Sequence, residues 1–165
     1  MSKVAIRFFK PADAKAVAGI MWKAFEFSHG GEARYKPSYS PVAFRKISFS
    51  RTMTSRTVSY VAEVDGKVAG YARGTVNRLS GLGGWDVVGV DEQYAHQGIG
   101  SALMKKMEDF FRQNKMRKVS TCVTSTNIRA VLYYFKHGFV IEGYRKDHFR
   151  EGQDEIILAK FYRRK

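Results

Sequence analysis

Residues Asp86 to Met104 read DVVGVDEQYAHQGIGSALM. Trp85 to Val90 is a β-prone run, and from Gly98 onward apolar residues recur at steps of three and four (Ile99, Leu103, Met107, Phe110, Phe111), as an amphipathic helix requires. Between the two lies a turn holding Gly98 and Gly100. Such a turn brings backbone N–H groups together at a helix N-terminus, where their partial positive charge suits a pyrophosphate. A glycine turn before a helix also serves simple packing, so this pair of glycines does not decide the matter alone. Gly89 sits inside the strand, where glycine weakens pairing and marks a bulge or a close backbone approach. A strand splayed from its neighbour there would open a slot.

Upstream, TVSYVAEVDGKVAGYARGTVN is two β-rich runs joined at Asp65-Gly66, a dipeptide that tolerates the positive φ of a tight hairpin. Val4 to Phe9 predicts a first strand. Pro11 opens a helix whose apolar members are Val17, Ile20, Met21 and Ala24. Between His29 and Pro41 the run HGGEARYKPSYSP breaks any regular pattern, and Pro41 can start a second helix through roughly Thr54 with Phe44, Ile47 and Phe49 as its apolar contacts. Downstream, Lys118 to Val123 predicts a strand and Asn127 to His137 a helix ended by Gly138. Phe139 to Tyr144 and Glu155 to Tyr162 predict two last strands.

The second helix-borne segment, NIRAVLYYFKHGF (residues 127 to 139), places Asn127, Ala130, Val131 and Tyr134 near one helix face. Together the two segments resemble the signature motifs of the GNAT superfamily of acyl-CoA N-acyltransferases. Val90, Tyr94, Gly98, Ile99, Gly100 and Leu103 match the first motif, and Asn127, Ala130, Tyr134, Lys136, Gly138 and Phe139 the second. The resemblance spans the order of elements from Val4 to Tyr162. Glu92, Ala95 and His96 depart from it, standing where the family often has proline, arginine or glutamine, and glycine.

The resemblance implies an α/β fold: a central mixed, mostly antiparallel twisted sheet of about seven strands, flanked by about four helices and splayed at an acetyl-CoA cleft. It implies acetyl-CoA as acyl donor, lying between the strand that ends at Val90 and the strand that holds Cys122. Its contacts would be Val88, Gly89, Val90, Ala95, His96, Gln97, Gly98, Ile99, Gly100, Ser101, Asn127, Ala130 and Tyr134. The amine would attack the thioester directly. Tyr134 would then protonate the departing thiolate, since a phenol of pKa about 10 can serve a thiolate of about 8.5; its alternative role is core packing. The backbone N–H of Val90 or Gly89 would polarise the carbonyl.

For the general base, many relatives carry a glutamate two residues ahead of Asp86, where this chain has Gly84. Asp86 shares strand parity with Val88 and Val90, so it could face the cleft and take the amine proton; an ordinary solvated carboxylate is the other reading. His96 reads as a solvated loop histidine and Cys122 as a buried strand thiol.

The chain has 165 residues, 44% of them hydrophobic, enough for one domain spanning residues 1–165 with a sizeable core. No stretch reads as a signal peptide or approaches the ~20 apolar residues of a membrane span, which points to a cytoplasmic protein with no membrane partner. One cysteine, and histidines 29, 96, 137 and 148 without paired ligand spacing, imply no metal. A monomer or a homodimer is compatible with these features.

The net charge of +14 is carried by the two ends, +8 over residues 1–56 and +6 over residues 117–165, around a neutral middle. That charge should repel polyamines and aminoglycosides, favouring a neutral or acidic amine acceptor or a protein bound to nucleic acid. The tail EGYRKDHFREGQDEIILAKF resembles that of relatives acetylating protein N-termini, so a protein or peptide N-terminus is preferred to a small-molecule amine. The rival from another class is a basic nucleic-acid-binding module, since Arg34, Tyr35, Lys36, Tyr39, Phe44, Arg45 and Lys46 interleave basic and aromatic side chains.

Overall fold

A computed structural model describes residues 4–26, 30–48 and 51–162, without the side chain of Phe149. His29 and Phe49 lie outside the described residues. Strand β1 (Val4–Phe8) leads through a 3₁₀ turn at Pro11–Asp13 into α1 (Ala14–Ala24). A 3₁₀ run at Ala33–Tyr39 precedes α2 (Pro41–Ile47) and the hairpin β2 (Ser55–Val64) and β3 (Lys67–Asn77). Then come β4 (Leu82–Val90), α3 (Ile99–Gln113), β5 (Lys118–Thr124), α4 (Ile128–Lys136) and the hairpin β6 (Val140–Arg150) and β7 (Gln153–Phe161).

The seven strands form one sheet in the order β1-β2-β3-β4-β5-β7-β6. All neighbours run antiparallel except β4 and β5, which are parallel because α3 crosses between them. The fold is thus the mixed, mostly antiparallel α/β sheet expected, with four α-helices among the described residues.

Two cores cover the two faces. On one, α3 presses Ile99, Leu103, Met104, Met107, Phe110 and Phe111 onto the sheet, with Val131 and Tyr134 of α4 beside them. Each such side chain contributes roughly 1.5–3 kcal/mol when fully buried. On the other face Val17 and Met21 of α1 and Phe44 of α2 pack around Tyr71. The β2–β3 turn is closed by Asp65 and Gly66 at φ 48° and 79°, as the dipeptide predicts.

Three boundaries and one core contact differ from the sequence reading. Helix α2 stops at Ile47, not near Thr54, because Ser48 is drawn into the core: its hydroxyl pairs with Tyr71 Oη at 2.8 Å and its carbonyl accepts from Ser59 Oγ at 3.2 Å. Phe44 is buried, but Ile47 is exposed rather than a core contact. Strand β4 begins at Leu82, three residues before Trp85; the weak strand formers Gly83 and Gly84 hid the residues that pair with β5. Strand β6 continues to Arg150 through an irregular stretch after Arg145.

Candidate active site

Strands β4 and β5 pair only at Leu82, Gly83 and Gly84, opposite Lys118, Val119 and Ser120. Beyond that point they part, and the gap opens into a cleft of about 640 Å³ walled by Trp85 to Val88 on one arm and Thr121 to Thr124 on the other. The splay therefore starts at Gly84, upstream of Gly89. Gly89 pairs with Tyr71, and a Cβ there would lie 2.7 Å from Met21 Sδ and 3.1 Å from Ala24 Cβ, so its glycine admits α1 rather than a ligand. Asp91 N–H bonds to Ala69 O at 2.9 Å. By the alternation of an antiparallel ladder Gly89 then also addresses β3, while Val88 and Val90 turn their N–H groups to the open side.

The turn after β4 is built on two left-handed residues, His96 at φ 62° and Gly98 at φ 78°. A histidine in that region is uncommon and explains why glycine suits the position. No atom lies within 4 Å of where a Cβ of Gly98 would stand, so the space above it is open. The first main-chain bond of α3 runs from Ala102 N–H to Gly98 O at 3.0 Å, which leaves the amides of Ile99, Gly100 and Ser101 without helical partners. His96, Gln97 and Gly98 are exposed and Ala95 half-buried. The Ile99 side chain is buried in the core, so only its backbone can meet a ligand. The hydroxyl of Ser101 lies 3.3 Å from His137 Nε2 and is engaged there.

Helix α4 brings Asn127, Ala130 and Tyr134 to the cleft wall. Asn127 is the helix N-cap, its Oδ1 accepting from Ala130 N–H at 3.1 Å. The Tyr134 ring is 4% exposed, meeting Trp85 edge-on at 6.3 Å and Phe139 at 5.1 Å. Its hydroxyl hydrogen-bonds the Thr121 side chain, and burial pushes its pKa above the ordinary phenol value, only partly offset by that bond. Tyr134 is thus both a core residue and a protonated phenol at the cleft.

The sequence reading missed Tyr133. Its hydroxyl donates to Gly100 O at 2.7 Å and its ring packs on His137 at 4.9 Å, fastening α4 to the first turn of α3. Tyr133 follows Ala130 at helical spacing, the signal that could have found it.

Asp86 does line the cleft, but not by the parity argument. Trp85 pairs with Gly74 and Val87 with Arg73, so Asp86 is the extra residue of a β-bulge. The bulge changes the alternation: Val88 and Val90 pack toward α3, whereas Val87 and the Asp86 carboxylate lie on the α1 side. Asp86 Oδ2 accepts from Arg73 Nε and from Thr75 Oγ1, each at 3.0 Å. Its Oδ1 stands 3.1 Å from where a Cβ of Gly84 would be, so the carboxylate occupies the space above that glycine.

Cys122 is exposed, not buried, and lines the same cleft. It is hydrogen-bonded to Glu155 and lies 3.8 Å from Arg145 Nη1. Partial burial and the Glu155 charge raise its pKa against the pull of Arg145, so it rests as a thiol. Glu155 and Arg145 come from the C-terminal hairpin, and only the pairing of β7 with β5 carries them to the site. Among the described residues no group of three or more His, Cys, Asp or Glu could hold a metal ion. No described helix is long and apolar enough to cross a membrane.

These features agree with the comparisons. A model of the acetyltransferase (GNAT) family matches residues 16–139. An uncharacterized N-acetyltransferase of Methanocaldococcus jannaschii is 29% identical over 102 residues, 61% of this chain and 64% of that protein. Aminoglycoside N(6')-acetyltransferase type 1 of Klebsiella pneumoniae is 31% identical over 96 residues, 51% of this chain and 48% of that protein. These matches span less than two thirds of either relative.

Among solved structures, Ard1 from Thermoplasma volcanium superposes with TM-score 0.77 at 23% identity, covering 98% of this chain and 99% of that one. The ribosomal-protein-S18-alanine N-acetyltransferase of Escherichia coli gives 0.74 at 21%, covering 95% and 92%. PaiA N-acetyltransferase of Thermoplasma acidophilum, in complex with coenzyme A, gives 0.74 at 17%, covering 97% and 99%. With the family model matched over most of its length and its sheet parted where the two motifs meet, the chain belongs to the GNAT acetyltransferase family.

Proposed function

We propose that this protein is a single-domain, cytoplasmic N-acetyltransferase that moves an acetyl group from acetyl-CoA to a primary amine by direct attack. The observation that carries the reading is the parting of β4 from β5 beside Tyr134, with the cleft residue Tyr133 bonded to Gly100 in the first turn of α3. Acetyl-CoA supplies the activated acyl group as a thioester. The chain's residues fit such a molecule: the amides of Ile99, Gly100 and Ser101, without helical partners at the start of α3, suit a pyrophosphate, and the parted strands leave room for an extended arm.

The N–H groups of Val88 and Val90 face the gap and would donate to a carbonyl oxygen lying there. Tyr134, kept protonated by burial, holds the proton that a departing thiolate needs. Asp86 stands on the α1 side, where an amine would enter, and would take its proton directly or through water.

For the acceptor, the fold is shared with an enzyme named for a ribosomal protein and part of the sequence with one named for aminoglycosides. The charge of +14 disfavours the polycationic class. A protein or peptide N-terminus, including one on a nucleic-acid-associated protein, is the acceptor we propose. A second, anionic partner is favoured by a separate surface pocket where Arg51, Arg56 and Arg78 converge with no lining carboxylate. The test is an acceptor screen detecting free CoA thiol, offering amino acids, peptides, amino sugars and ribosomal proteins. Turnover with an amine and acetyl-CoA affinity in calorimetry are expected; salt-sensitive RNA binding without acetyl-CoA binding would instead make it a nucleic-acid-binding module.

A further inference from the structure

On the α1 side of the gap each arm of the cleft carries a couple of opposite charges. On the β3–β4 arm Arg73 gives its Nε edge to Asp86 Oδ2 at 3.0 Å. Asp86 engages no other nitrogen of Arg73 among the described contacts, so the terminal Nη fork is left for a ligand. On the β5–β7–β6 arm Arg145 stands in register with Glu155. Its Nη1 lies 3.0 Å from His148 Nε2, and among the described residues no carboxylate comes within 4.0 Å of its guanidinium. Glu155 is 13% exposed in its side chain and meets Cys122 and, at 3.8 Å, His148. All four charged groups line one cleft, with Phe25 and Tyr39 as its aromatic wall.

We infer that the amine acceptor carries a carboxylate close to its amine, together with an apolar portion. The inference rests on the acetyltransferase reading and names its acceptor class. A guanidinium with an open fork binds a carboxylate through two parallel N–H bonds, which an amide or hydroxyl cannot reproduce. The carboxylates of Asp86 and Glu155 receive the amine on the same face, so a cleft of two signs takes a ligand of two signs. A polycation would leave both arginines facing positive charge within a strongly positive protein. Phe25 and Tyr39 cover the apolar part. A free amino acid supplies this chemistry through its α-carboxylate, and a peptide N-terminus through an acidic side chain at its second residue.

Matched pairs separate these sources: phenylalanine against phenylalaninamide, and Ala-Asp-Phe-amide against Ala-Asn-Phe-amide, with thiol-release rates referred to the neutral amine fraction. In at least one pair kcat/KM should favour the carboxylate by about tenfold or more. Arg145→Gln and Arg73→Gln should shrink that preference at least about threefold, and Arg145→Lys should shrink it less, since the charge is kept and the fork lost. Calorimetry of acetyl-CoA binding reports whether each variant is folded, and Arg73→Lys replaces Arg73→Gln if it is not. Equal rates within both pairs, or a preference that survives in both arginine variants, overturns the inference and leaves the acetyltransferase reading standing. Failure to turn over any amine overturns both.

Discussion

Replacing Tyr134 by phenylalanine separates its two roles, because the ring and the hydroxyl have different partners. The ring contacts with Trp85, Tyr133 and Phe139 would survive the change. The hydroxyl's bond to Thr121 would not, and Thr121, only 7% exposed, would keep a buried group without that partner. Loss of one such bond and the resulting desolvation cost suggest about 1–2 kcal/mol of destabilisation. For a chain of this size that is a fall in Tm of roughly 2–8 °C.

The catalytic loss should be far larger, roughly 10²-fold in kcat with acetyl-CoA affinity little changed, because the proposed proton donor is removed. Thr121→Val combined with Tyr134→Phe should recover part of the stability while leaving activity low, since neither polar partner is then stranded. Single-turnover thiol release, calorimetry and thermal melts on the three proteins test this. Full turnover by folded Tyr134→Phe, with chemistry rate-limiting, would remove Tyr134 from the mechanism. Activity that returned with stability in the double variant would assign it a purely structural role.

Gly98→Val should weaken acetyl-CoA binding at least about tenfold, since it forces a β-branched residue to positive φ and fills open space above the turn; Gly98→Asn, which tolerates that φ, should lose less, and equal calorimetric affinities would refute the placement. Asp86→Asn should lower kcat most below the acceptor amine's own pKa and recover as pH rises, because solvent then supplies the neutral nucleophile; a wild-type pH-rate profile would leave Asp86 with only its bonds to Arg73 and Thr75. Stability should decline as pH rises above about 10, at up to about 1.4 kcal/mol per pH unit for each buried phenol: burial raises Tyr133, Tyr134 and Tyr162 in the folded state, so the unfolded chain loses those protons first. Melting temperatures flat from pH 9 to 11 would contradict that burial.

The sequence by itself determined the elements whose signals are local. The helix α3 stripe, the Asp65-Gly66 hairpin and the glycine turn follow from periodicity and from residues that tolerate positive φ within a few positions. The motif residues Asn127, Ala130 and Tyr134 share a face because a single helix fixes their spacing. What the tertiary structure alone decided depends on pairings between distant segments. The bulge that moves Asp86 off the face of Val88 is a mismatch between β4 and β3, invisible when β4 is counted by twos. Gly89 is explained by α1, some 65 positions earlier in the chain. Cys122, Glu155 and Arg145 meet because β7 inserts between β5 and β6, a non-sequential order that no local pattern encodes. A motif placed the α4 wall of the cleft, and long-range strand order built the wall of Cys122, Glu155 and Arg145, because those side chains converge only after the sheet has closed.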